Sequence, residues 1–171
     1  MHNRTDPIAL TGLMVSYAPA EDRLCCRLNW SQGTRDLLLT RKLTGELIGV
    51  LARRLARQAQ NHVLFEHIDL TRGEAEPTGR ERAQPGADRP DDSRRVDKLI
   101  VTPHRSGVTL QFEDVYGERY ALRLGRKAAH RTLDALYRRS QAADWRLSDR
   151  VPWLRDVTAA IAADQFDSAR H

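Results

Sequence analysis

The sequence predicts an α+β fold of two tandem β-β-β-α units related by pseudo-symmetry, followed by a C-terminal helix. Three observations carry that expectation. Leu37-Leu38-Leu39-Thr40-Arg41-Lys42-Leu43 recurs as Leu122-Arg123-Leu124-Gly125-Arg126-Lys127-Ala128, and Leu51-Ala52-Arg53-Arg54 recurs as Leu136-Tyr137-Arg138-Arg139, both at an offset of 85 residues. Around each basic pair the apolar spacing changes from the period of a strand to that of a helix. Between the copies, residues 71–95 hold three prolines, three glycines and no large apolar side chain. These features divide the chain into a first unit over 1–70, a flexible charged linker or long loop over 71–95, a second unit over 96–147, and a helix and tail over 148–171.

Ile8 to Tyr17 is mostly apolar and ends at the turn-like Ala18-Pro19-Ala20-Glu21-Asp22. Arg23 to Trp30 reads as a strand, because Leu24, Cys26, Leu28 and Trp30 alternate with Arg27 and Asn29. Ser31-Gln32-Gly33-Thr34 suits a hairpin turn before a third strand, Arg35 to Thr40. Leu43, Leu47, Val50, Leu51 and Leu55 then form a helical stripe. Val63 to Leu70 either extends that helix or adds a strand.

The linker's six arginines balance its six acidic residues, and it has little apolar surface to offset the entropy of ordering. After it, Lys98–Thr102, Val108–Phe112 and Arg119–Leu124 read as strands, and Lys127–Ala143 as a helix on Leu133, Leu136 and Tyr137. Gly33-Thr34-Arg35 and Gly117-Glu118-Arg119 repeat at an offset of 84, so one of the two hairpins should be a residue longer, as a longer turn or a bulge. Ser148-Asp149-Arg150-Val151-Pro152 resembles a helix start, with Trp153, Leu154, Val157 and Ile161 as its apolar stripe.

The 171 residues suit one domain or two small units sharing a core. A mean hydropathy of −0.60 and the lack of any apolar run near the roughly 20 residues of a spanning helix argue against a membrane protein. The start of the chain has no secretory signal pattern, so the expected location is cytoplasmic. Cys25 and Cys26 are the only cysteines; as strand neighbours they point to opposite faces and should not bridge. The net charge of +5 permits an anionic partner, but 25 of the 28 basic residues are arginine, a compositional bias as much as a surface.

Chemical motifs are sparse. The sequence has no phosphate-binding glycine loop, dinucleotide fingerprint or nucleophile elbow. His62 and His67 lie five apart, which misses the spacing that puts two imidazoles on one helical face. Glu113-Asp114 and Asp91-Asp92 read as turn and linker acidity. Neither a metal site nor a cofactor is implied. An enzyme would need a site assembled from distant residues, and a non-catalytic adaptor or assembly protein binding a protein partner is the expected function. Nucleic-acid binding is the alternative. The candidate anionic-partner residues are Arg41, Lys42, Arg126 and Lys127: cations at a helix N-terminus oppose the macrodipole, and a bound anion would relieve that conflict. Trp153, Leu154, Val157 and Ile161 are the candidate protein-partner residues.

Overall fold

The computed structural model describes residues 6–59, 62–71, 92–147 and 151–156. Its strands are β1 (Ile8–Ala9), β2 (Gly12–Ala18), β3 (Arg23–Trp30), β4 (Gly33–Leu39), β5 (Arg94–His104), β6 (Gly107–Asp114) and β7 (Arg119–Gly125). Its helices are α1 (Arg41–Gln58), α2 (Val63–Thr71), α3 (Arg126–Ala142) and a short α4 described over 152–156. The fold is mixed α+β, with all seven strands in one sheet of order β1-β7-β6-β5-β4-β3-β2.

That order brings the edges together. β1 and β2 stand at opposite edges, yet only Leu10 and Thr11 separate them along the chain. Ile8 and Ala9 pair in parallel with Tyr120 and Ala121, and the Leu10 N–H donates to the Ala121 carbonyl at 2.8 Å. Thr11 then donates to the Asn29 carbonyl at 2.8 Å, and β2 continues antiparallel to β3. The sheet therefore closes on itself through one extended run, and the chain changes neighbours part-way along it.

Strand alternation selects the face that the helices cover. Leu24, Cys26 and Leu28 are buried, with Leu39 opposite Leu24 and Leu37 opposite Cys26. Val108, Leu110 and Phe112 meet Leu124, Leu122 and Tyr120 in the same way across β6 and β7. Leu47, Ile48, Leu51 and Leu55 of α1, with Leu133 and Leu136 of α3, complete one core. On the other face Arg27 grips Asp36 through two hydrogen bonds, at 2.8 and 3.0 Å.

The Val63–Leu70 stretch is neither a strand nor a continuation of α1. It is the separate helix α2, whose Glu66 lies in the first turn, where a carboxylate suits the macrodipole. The linker expectation falls mostly on residues 72–91, outside the described residues; α2 ends at Thr71 and β5 begins at Arg94. Residues 148–150 of the expected C-terminal helix start also lie outside them. Among the described residues no helix is long and apolar enough to cross a membrane.

Candidate functional site

Each long helix springs from a strand whose parallel neighbour has just departed. β7 loses β1 after Ala121, because the chain swings from Leu10 across to β3. α3 begins at Arg126, and a cleft of about 430 Å³ opens between its first two turns, the end of β7 and β2. Gly12 and Leu13 form one wall, Arg123 another, and Lys127, Arg131 and Thr132 of α3 the third. Gly125 stands at the N-cap with no side-chain hydrogen bond to the helix. The cleft therefore combines three cationic side chains with a helix end that lacks a side-chain cap.

The four basic residues expected to bind an anion are not brought together. Only Lys127 lines this cleft. Arg41 and Lys42 are exposed at the start of α1, where Arg41 helps to hold the Asp22 carboxyl below its usual range, after hydrogen bonds from Tyr17 and Trp145. Arg126 is half-buried and ion-paired with Glu66 of α2. In α4, Leu154 is buried in the core and Trp153 packs edge-on against His67, ring centroids 5.3 Å apart. Both side chains are thus engaged within the chain. Val157 and Ile161 lie outside the described residues.

One turn beyond Arg126 lies a feature that sequence reasoning missed. His130 and His67 are fully buried, with their Nδ1 atoms 3.0 Å apart. A hydrogen bond between the two Nδ1 atoms requires one to donate and the other to accept. Their Nε2 atoms are buried without hydrogen bonds; Asp134 stands 3.7 Å from that of His67 and Glu66 4.0 Å from that of His130. Burial, then His67 and Arg126, pushes the His130 imidazole down to about 4. Burial drives the Asp134 carboxyl upward, but His67 and Arg138 together hold it below its usual value. Part of the signal was present in the sequence: His67 sits in the mostly apolar helical run Val63-Leu64-Phe65-Glu66-His67-Ile68. Its meeting with His130, 63 residues away, required the fold.

This pair joins α2 to α3, and both rings are buried away from the cleft beside β7. Among the described residues, no group of three or more His, Cys, Asp or Glu is arranged to hold a metal ion. Cys25 is half-buried and Cys26 buried; burial above all pushes both thiols up, away from the reactive thiolate. No family model, curated protein or solved structure matches the chain.

Proposed function

We propose that this protein is a non-catalytic interaction module that captures an acidic, extended segment of a protein partner in the cleft between β2, β7 and α3. One observation carries the reading: on its edge away from β6, β7 pairs with no described strand beyond Ala121, and that open edge lies beside Arg123, Lys127 and Arg131. A strand edge offers unpaired backbone groups to an incoming chain, while the cations select acidic side chains. Cations in a concave site also speed encounter with an opposite charge. The two unbridged cysteines suit a reducing compartment such as the cytoplasm.

The same reading treats the two halves as copies related by a pseudo-twofold axis. Ile8–Ala18 and Arg94–His104 each begin parallel to the last strand of the other half, then continue antiparallel to the next strand of their own. The first run breaks at Leu10–Thr11 and the second shifts register between Val96 and Lys98. Asn29 faces Thr34 in one hairpin and Glu113 faces Arg119 in the other, which leaves the second loop one residue longer.

The test is capture of an acidic, strand-forming peptide by the full chain. Arg123→Glu and Lys127→Glu should each weaken binding at least tenfold, with the loss shrinking as salt rises. Trp153→Ala should leave the affinity unchanged. Undiminished capture by the charge reversals would sink this reading. Tight binding of single-stranded nucleic acid, lost on the same reversals while the peptide fails to bind, would replace it with nucleic-acid recognition.

A further inference from the structure

The other half of the closed sheet holds a second cationic recess, distinct in lining and ligand from the peptide cleft. Val50, Arg53, Arg54 and Arg57 fall at i, i+3, i+4 and i+7 on one face of α1 and oppose Val101 and Pro103 of β5 across about 170 Å³. Like charges at those spacings repel, so helix stability alone does not select three guanidinium groups on one face. Arg27, Arg35, Arg94, Arg126 and Arg138 are ion-paired; among the described residues Arg53, Arg54 and Arg57 are not.

Two further details indicate a site built to receive something. The Arg54 Nε is buried without a hydrogen-bond partner, as are Gln58 Oε1 and His104 Nε2 at the adjoining ends of α1 and β5, where Gln58 Nε2 donates to the His104 carbonyl at 3.4 Å. A buried N–H left unpaired is costly, and a ligand oxygen would remove the cost. Arg53 is folded back over Gly49: a Cβ there would stand 3.3 Å from Arg53 Nη1. Glycine is a poor helix former, and here it leaves room for a guanidinium to lie against the helix.

We infer that this recess binds a phosphate group, as the free ion or as a small monoester. Guanidinium forks match the several oxygens of a tetrahedral oxyanion, and a dianion offsets more of the gathered charge than a single carboxylate does. Pro103 has no N–H and β4 pairs with β5 only at Arg94 and Arg95, so the arginines, rather than a strand ladder, make the contacts.

The experiment is calorimetric titration of the full chain with inorganic phosphate and with phenyl phosphate, at constant ionic strength set by chloride. Arg54→Gln and Arg57→Gln should each weaken phosphate binding at least tenfold. Arg57 is exposed, so its variant keeps the test sound if Arg54→Gln fails to fold. Lys98→Gln, on the outward face of β5, should titrate as the parent does. Gly49→Ala should weaken binding several-fold while raising the thermal midpoint, a split that a merely structural arginine would not produce. Competition between the two ligands assigns the site to monoesters as well as the free ion; binding of phosphate alone assigns it to the free ion. Heat no different from a chloride control, or full affinity in Arg57→Gln, would overturn the assignment.

Discussion

The two long helices begin on the same basic pair and in different surroundings. Thr40 caps α1, its hydroxyl accepting the Leu43 N–H at 3.2 Å, and Arg41 and Lys42 stand in solvent. Gly125 gives α3 no side-chain cap, Arg126 is drawn onto Glu66, and Lys127 alone turns into a cleft. The difference at Arg126 originates in α2, which follows α1 and docks on α3 through Glu66 and the His67–His130 contact. A repeated motif fixes where the backbone goes; what lies against it decides what its charges meet.

The hairpins sharpen the comparison with the largest expected effect. β3 and β4 turn through Ser31 and Gln32 between Trp30 and Gly33. The β6–β7 turn is held by Asp114, whose Oδ1 accepts the Tyr116 and Glu118 N–H groups at 2.9 and 3.0 Å and whose Oδ2 meets Arg94 at 2.8 Å. Gly117 takes a φ of +83° there, a conformation suited to glycine. Because Asp114 is buried, Asp114→Ala should cost about 4 kcal/mol in chemical denaturation. Asp36→Ala, whose partner Arg27 is half exposed, should cost about 1 kcal/mol. Equal losses would mean that the two turns are held alike.

The contact between α2 and α3 should give the molecule an acid sensitivity that α1 does not share. The folded-state value of His130 lies at about 4, below the ordinary 6.5. Between those values the unfolded chain takes up a proton that the folded chain refuses, so the His130 contribution to stability falls as pH drops from about 6.5 to about 4 and is constant below. The full shift corresponds to about 3 kcal/mol. Denaturant melts across that window should show the slope in the parent and lose it in His130→Gln. A parent with flat stability there would remove His130 as its source.

Much of the backbone was legible. Strand alternation identified β3, β6 and β7, and the change to helical spacing at Leu43 and Lys127 located α1 and α3. Two things were not. The joining of the edges depends on the exchange of neighbours at Leu10 and Thr11, which has no local signature in an apolar run. The roles of Arg126 and His130 depend on α2, whose short run from Val63 to Leu70 fits either a strand or a helix. Asp114 looks like ordinary turn acidity in the sequence, and the turn it holds explains why a buried carboxylate sits there.

The smallest effect isolates the helix starts themselves. Thr40→Ala removes the α1 cap and should cost about 1 kcal/mol. At α3 the sign reverses: Gly125 has extended backbone angles and open space where a Cβ would stand, so a capping side chain fits. Gly125→Asn should stabilise by a few tenths of a kcal/mol, since glycine trails asparagine at this position by about that amount. Gly125→Asp should cap as well, but its carboxylate would stand two residues from Lys127 and compete for the charge that attracts an acidic partner. The pair of variants therefore separates stability from recognition. Both should raise the denaturation midpoint slightly, and only the aspartate should weaken capture of the acidic peptide. If asparagine weakens capture as much as aspartate, the open N–H groups at the start of α3, rather than the net charge of the cleft, are what the peptide meets.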